Sequence, residues 1–335
     1  MKKLLTAVLS CVLVFSLTAC SSNDTQDSNS DLTKVTLMLD YTPNTNHTGF
    51  YVAKEKGYYE EMGLDVEIIE PGDNATTSMV ATGKADFGVS YQEDVTYALT
   101  AQDALPIKAI ATIIQHNTSG FVSLKDANIN SPKDFEGKTY AGWGAPSEEA
   151  VIQAVMKKEN ADFSKLTIVG ADGSGVAGLS SETGDNKVNL NWEFYGWAVT
   201  RALMDGYDLN YMPLNELDER LDYYTPVIIT NNDMIENNPE ICEKFMSATK
   251  KGYEYAIDNP DEAAILLHDV ALSDVDLDFI KKSQEYLSEQ YALDAPSWGV
   301  MKDEVWDNYT DFMFEYGLID SKIDAKQQYT NEFVE

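Results

Sequence analysis

The stretch Leu64–Val89, LDVEIIEPGDNATTSMVATGKADFGV, decides the fold. Leu64, Val66 and Ile68 alternate with Asp65 and Glu67, the period of a strand, and Pro71-Gly72 stops it. Asn74 to Ala81 reads as a helix. Gly83-Lys84-Ala85-Asp86 turns the chain into a short strand, Phe87-Gly88-Val89. Strands that alternate with helices imply parallel sheets covered by helices on both faces.

The same alternation runs outward in both directions. Before it, Val35–Leu39 is a strand, Asp40–Thr48 a polar loop, and Phe50–Glu55 a helix that Gly57 ends. After it come a helix over Glu93–Ala101 and a buried strand over Ile107–Ile114. Then follow a strand over Gly137–Ala141, a helix over Glu148–Glu159 and strands over Leu166–Val169 and Val227–Thr230. Beyond Asn238-Pro239 the pattern is almost wholly helical: Glu240–Ala256, Asp261–Val270, Asp274–Gln290 and Lys302–Tyr316. The 335 residues suggest two α/β domains rather than one. In open sheets of this kind ligands sit at the carboxyl ends of strands. That singles out the loops Asp40–Thr48, Ser90–Glu93, Gln115–Gly120, Gly142–Glu149 and Asn191–Trp197.

The N-terminus reads as a targeting segment. Lys2 and Lys3 precede an apolar run, Leu4–Leu17, and Leu17-Thr18-Ala19-Cys20 matches a bacterial lipoprotein cleavage site. The signal peptide is thus 1–19. Residues 20–31 are a lipidated Cys20 and a Ser/Asn/Asp-rich tether. The body is expected on the extracellular face of the cytoplasmic membrane, anchored by lipid (palmitate). Of three cysteines, Cys11 leaves with the signal and Cys20 carries lipid, so Cys242 has no disulfide partner. The chain carries 24 Lys+Arg against 56 Asp+Glu, a net charge of −32. Such a surface repels nucleic acid and anionic headgroups. His47, His116 and His268 share no metal-ligand spacing, and neither a phosphate-cradling loop nor a nucleophile elbow is present.

The loops are rich in recognition chemistry. Asp40–Thr48 crowds donors and acceptors before a helix start, either for a ligand or as a capped turn. Gln115-His116-Asn117-Thr118-Ser119-Gly120 follows the strongest strand. Gly142-Trp143-Gly144 sets an aromatic between glycines ahead of a helix that Ser147 is placed to cap. Asn191-Trp192-Glu193-Phe194-Tyr195-Gly196-Trp197 surrounds one carboxylate with four aromatics. These are flat walls for a heterocycle and an acceptor for its N–H groups, or else a core patch.

At these loops the chain resembles a known family. LDYTPNTNHTGFYVAKEKGYYEEMGLDVEII, GKADFGVSYQE, IIQHNTSGF, SPKDFEGKTYAGWGAPSEEAVI and LDYYTPVIITN look like the ThiY-like solute-binding lipoproteins of ABC importers for thiamine pyrimidine precursors. The resemblance implies a type II-like periplasmic-binding-protein fold, with ligand in the cleft between two α/β lobes. Lobe 1 would span 32–121 plus 225–335, and lobe 2 would span 122–224. It implies a monomer that hands a hydroxymethylpyrimidine or formylaminopyrimidine to a membrane permease and its ATPase. Carried onto this chain, the ligand-binding candidates are Tyr41, Asn44, His47, Gln92, His116, Trp143, Trp192, Glu193, Tyr195 and Trp197. Tyr223 and Tyr224 would serve as hinge or wall. No cofactor, metal or catalytic residue is implied. The fungal thiamine-pyrimidine synthase shares the fold and uses a lysine that holds pyridoxal phosphate, a histidine and a cysteine cluster. This chain aligns Ser90 and Asp94 with the first two and has no cysteine cluster, so it is expected not to be an enzyme. A second relative binds riboflavin and is the alternative. The Gly/Ser-rich segment Gly173–Asn189 departs from the family's shorter hydrophobic helix.

Overall fold

The computed structural model describes residues 32–72 and 75–334. The lipoprotein segment, including Cys20, lies outside them. Ten strands form two five-stranded sheets. In chain order they are β1 (Thr33–Met38), β2 (Leu64–Ile69), β3 (Phe87–Ser90), β4 (Ile107–Thr112), β5 (Ser119–Leu124), β6 (Thr139–Gly142), β7 (Thr167–Gly170), β8 (Leu190–Phe194), β9 (Leu209–Pro213) and β10 (Val227–Asn231). The first sheet has the order β2-β1-β3-β10-β4, and the second β7-β6-β8-β5-β9.

The sheets are mixed, and both depart from the parallel pattern in the same way. β1 pairs in parallel with β2 and β3, but β10 runs antiparallel to both β3 and β4. β6 pairs in parallel with β7 and β8, but β5 runs antiparallel to β8 and β9. The odd strand in each sheet is the one the chain enters from the other sheet. A chain that leaves one sheet at a strand's carboxyl end and crosses directly must enter the next sheet at that sheet's carboxyl edge. It therefore runs against its neighbours. This puts the carboxyl ends of β1, β3, β6 and β8 on the facing sides of the two sheets.

The crossings lie between Thr112 and Ser119 and between Leu221 and Val227. They are bound to each other. His116 Nδ1 lies 2.7 Å from Asp222 Oδ2. The Asn117 N–H donates to Asp222 Oδ1 at 2.9 Å, and Asn117 Nδ2 donates to the Leu221 carbonyl at 2.8 Å.

Each sheet has an apolar core. Phe87 stacks on Phe245 at 3.9 Å under the first sheet, and Tyr59 also stacks on Phe245, at 5.5 Å. Phe121 meets Phe135, Tyr140 and Trp192 edge-on or tilted in the second. The C-terminal helices Pro239–Asp258, Pro260–Ala271, Leu277–Gln290 and Asp303–Glu315 match the helical reading of that region. The last one serves both cores. Its Trp306 packs under the first sheet, while Tyr309, Phe312 and Met313 pack with Tyr223 in the second core. Among the described residues, no helix is long and apolar enough to cross a membrane.

Three strands, β5, β8 and β9, are additions to the sequence reading. The segment read as the loop Asn191–Trp197 begins as β8, and Gln115–Gly120 runs into β5. In β8 the alternating polar residues Asn191 and Glu193 face a cleft rather than solvent.

Candidate functional site

A cleft of about 810 Å³ lies between the two sheets. Its walls include Trp143, Asn191, Trp192, Glu193, Trp197 and Arg201 after or on strands of the second sheet. The backbone of Gly170–Gly178 forms a further wall. Tyr41, Val275 and Phe279 close it from the first sheet's side. Tyr41 follows β1 and is 65% exposed, and Trp143 is 60% exposed, so two large aromatics stand free at the opening.

One buried carboxylate builds the loop that presents Trp143. Glu148, 2% exposed, accepts from the backbone N–H of Trp143 (3.1 Å), Gly144 (2.6 Å) and Ala145 (2.9 Å). The Tyr140 hydroxyl adds a fourth donor at 2.6 Å. A Cβ on Gly142 would come 2.1 Å from Glu148 Oε1, so only glycine leaves room for this carboxylate. The helix that follows starts with Pro146 in its first turn, behind the N-cap residue Ala145. Ser147 is therefore not the cap. Its hydroxyl instead donates across the cleft to Glu93 Oε1 at 2.9 Å.

Glu193 is held more loosely. Asn191 Nδ2 donates to its Oε1 at 2.7 Å. Burial pushes the Glu193 carboxyl up to about 7. Beside it, Asn191 Oδ1 and Trp192 Nε1 are buried with no hydrogen-bond partner among the described residues. Buried polar atoms left unpaired are rare, and a third one, Trp306 Nε1, lies in the first sheet's core. Trp192 also packs against Trp143, with ring centroids 5.2 Å apart. At the other end Trp197 meets Phe279 edge-on at 4.7 Å, and the Arg201 guanidinium lies 5.5 Å above the same Phe279 ring.

Of the residues singled out from sequence, Tyr41, Trp143, Trp192, Glu193 and Trp197 share this cleft. The others have internal work. Asn44 caps the short turn Thr45–His47, accepting from the Asn46 N–H. His47 is fully buried. Its Nε2 lies 2.7 Å from Asp40 Oδ1, and its Nδ1 accepts from the Asn44 N–H, so both ring nitrogens are used. Gln92 is fully buried and ties the second crossing to a helix. It accepts from the Tyr224 N–H and donates to the Val305 carbonyl. His116 belongs to the crossings, where its hydrogen bond to Asp222 raises its pKa against the effect of burial. Tyr195 turns away from the cleft and packs on Tyr211 and Tyr286, because the chain makes a π-helical turn at Tyr195–Val199. Tyr223 stacks on Tyr309 at 4.0 Å, and the Tyr224 hydroxyl accepts from the Lys302 N–H.

Beyond the residues singled out from sequence, Asn191, Phe279 and Arg201 line the cleft and Glu148 anchors the loop of Trp143. A polar residue two before Glu193 on a strand was the available signal for Asn191.

Residues 44–263 match the NMT1/THI5 like family model. The chain belongs to the NMT1/THI5-like family. A formylaminopyrimidine-binding protein of Halalkalibacterium halodurans, also similar to this NMT1/THI5-like chain, is 30% identical over 75% of it and 74% of that protein. The riboflavin-binding protein RibY of Chloroflexus aurantiacus is 24% identical over 100% of the chain and 99% of RibY. A protein of Saccharomyces cerevisiae named as a 4-amino-5-hydroxymethyl-2-methylpyrimidine phosphate synthase, THI13, is 27% identical over 69% of each chain. Among solved structures, the periplasmic aliphatic sulphonate binding protein SsuA of Escherichia coli superposes with a TM-score of 0.65 at 13% identity. That match covers 88% of this chain and 91% of SsuA. NMT1/THI5-like architecture here is thus the two-sheet α/β fold of periplasmic solute-binding proteins.

Proposed function

We propose that this chain is the solute-binding component of an ABC importer and captures a thiamine pyrimidine precursor of the hydroxymethyl- or formylaminopyrimidine type. The observation that carries the reading is the cleft wall at β8. An under-coordinated carboxylate, Glu193, shares the cleft with Asn191, whose Oδ1 is unpaired, and with Trp192, whose Nε1 is unpaired and whose ring packs against Trp143. That set offers a flat apolar wall, acceptors for an exocyclic amine and a donor for a ring nitrogen. The formylaminopyrimidine-binding relative supports the choice of ligand. Tyr41, Trp143, Trp192 and Trp197 are proposed as walls and Glu193 as the acceptor from the amino group.

The ligand would bridge the two lobes and favour a closed form that a permease reads, since closure follows from tighter binding to the closed state. A lipid anchor on Cys20, delivery to a permease and its ATPase at the outer face of the cytoplasmic membrane, and a monomeric state complete the proposal. Catalytic turnover is not expected. Ser90 and Asp94 offer no amine to hold an aldehyde cofactor, and Cys242 is buried and alone among the described residues.

Riboflavin is the second reading, favoured by the cleft volume of about 810 Å³ and by the full-length match to RibY. Calorimetric titration separates the two. Tight binding of 4-amino-5-hydroxymethyl-2-methylpyrimidine or its formylamino relative, lost by about 1–3 kcal/mol in Glu193→Gln, supports the first. Binding of riboflavin alone replaces it, and an unchanged affinity in Glu193→Gln removes that residue from the site.

A further inference from the structure

We propose that Ser283 and Gly196 are positioning residues for the cleft. They seat the turn that carries Trp197 on the helix Leu277–Gln290, so a wall residue of the second sheet is located by a helix of the first sheet's side. This rests on the reading of the cleft as a ligand seat with Trp197 as one wall, and it names what sets that wall. The π-helical turn Tyr195–Val199 leaves β8 and lies along one stripe of the helix. Tyr195 meets Tyr286 with ring centroids 4.5 Å apart, the Gly196 carbonyl accepts from the Ser283 hydroxyl, and Trp197 meets Phe279 at 4.7 Å. Phe279, Ser283 and Tyr286 are spaced i, i+4, i+7, which makes one helix face about 10 Å long.

The helix is anchored on the first side. Its Leu287 packs in the first sheet's core, and its Phe279 and Ile280 form a satellite cluster with Ala264, Leu267 and Leu272. Trp197 packs against that cluster from the second sheet. Ser283 is fully buried, and its hydroxyl has two partners. The Gly196 carbonyl can only accept, so the Ser283 proton goes there. Thr45 Oγ1, 2.6 Å away, then donates to Ser283 Oγ. Thr45 opens the short turn Thr45–His47 that follows β1. One hydroxyl thus ties the turn after β1 to the turn after β8.

Packing alone would not fix this seat. Apolar contact is non-directional and lets a turn slide along a helix face. A hydrogen bond is directional and sets the register. Gly196 permits the close approach that the bond needs. A Cβ there would come 2.9 Å from Leu287 Cδ2 and 3.0 Å from Leu287 Cγ, and Leu287 is held in the core. A side chain at position 196 would therefore lift the turn and draw its carbonyl away from Ser283. Ser288, on the same helix, offers a contrast, because its hydroxyl donates to the Glu285 carbonyl within the helix itself.

The test uses the full chain and two readouts. Trp197 emission is taken as the difference between each protein and its Trp197→Phe counterpart, and its quenching by acrylamide is measured without ligand. Ser283→Ala and Gly196→Ala should each raise that quenching, while Ser288→Ala keeps the parent value. Calorimetry with 4-amino-5-hydroxymethyl-2-methylpyrimidine, its formylamino relative and riboflavin then gives the affinity. Whichever binds should lose about 10-fold in Ser283→Ala and in Gly196→Ala, the scale of one buried group left unpaired, and stay within about twofold in Ser288→Ala. A merely structural role would lower unfolding free energy and leave both the quenching and the affinity of the folded protein at parent values, and that result would overturn the proposal. Raised quenching with unchanged affinity would overturn it too. Where Ser283→Ala does not fold, Gly196→Ala carries the same comparison. Should none of the three ligands bind, the reading of the cleft fails and quenching judges the seat alone. A rise confined to the two seat variants then supports it, and equal quenching in Ser283→Ala and Ser288→Ala overturns it.

Discussion

Glu148, buried behind the loop of Trp143, and Glu193, on the cleft wall, do opposite things with the same functional group. Glu148 is 2% exposed and saturated by four donors, three of them backbone N–H groups of consecutive residues. Glu193 has one donor, from Asn191, and its carboxyl is pushed up to about 7. A carboxylate whose lone pairs are all engaged is a piece of scaffold. One left short of donors stores an unmet demand that a ligand can meet. The first shapes the loop that carries Trp143, and the second gives that loop something to close over.

The contrast breaks most severely at the scaffold carboxylate. Glu148→Ala strands the Tyr140 hydroxyl and three loop N–H groups, which should cost about 3–5 kcal/mol of unfolding free energy in a denaturant titration. A loss below ~1 kcal/mol would mean that the loop finds other acceptors. Gly142→Ala probes the same contact from the other side. Its Cβ would meet Glu148 Oε1, and the overlap should cost about 1–3 kcal/mol.

Glu193→Gln should do the reverse. The folded chain holds the Glu193 proton more tightly than the unfolded chain does, so ionising it opposes folding. Stability should therefore fall as pH rises from the ordinary carboxyl range to about 7, and the full cost is present above that. The glutamine variant removes this slope and gains on the order of 2 kcal/mol at pH 8, after allowance for partial exposure. A variant no more stable than the parent at pH 8, with the same pH slope, would place the demand elsewhere. The smallest effect on folding belongs to Trp143→Ala. That side chain is 60% exposed, so unfolding free energy should move by no more than about 0.5 kcal/mol while ligand affinity drops sharply.

How far the sequence revealed this depends on what each residue faces. Strands such as Leu64–Ile69 and the C-terminal helices alternate between core and solvent, and their period is plain. The strand Leu190–Phe194 also alternates, but its polar members face a cleft and its neighbours are strands on both sides. It therefore reads as a ligand loop. The aromatic–acid segment stands out in the sequence because its chemistry is local, and Trp192, Glu193 and Trp197 line the cleft. His47 and Gln92 stand out for the same reason, and in the structure their polar atoms are engaged internally. Polar side chains on loops serve the loop's own backbone as readily as a ligand, and only the positions of Asp40, Tyr224 and Val305 reveal which. Phe279 and Arg201 reach the cleft from 78 positions apart, a proximity that no local pattern encodes.

The antiparallel insertion of β10 governs how such a chain can be made. β4 has no strand neighbour in its sheet except β10, which lies more than a hundred residues later and after the whole of the second sheet. The first sheet therefore cannot close while only its own N-terminal strands have emerged from a ribosome or an export channel. A three-stranded piece, β2-β1-β3, and the lone strand β4 wait with open edges until Val227–Asn231 arrives between β3 and β4. Assembly of the first sheet is thereby deferred until about two thirds of the chain has been made.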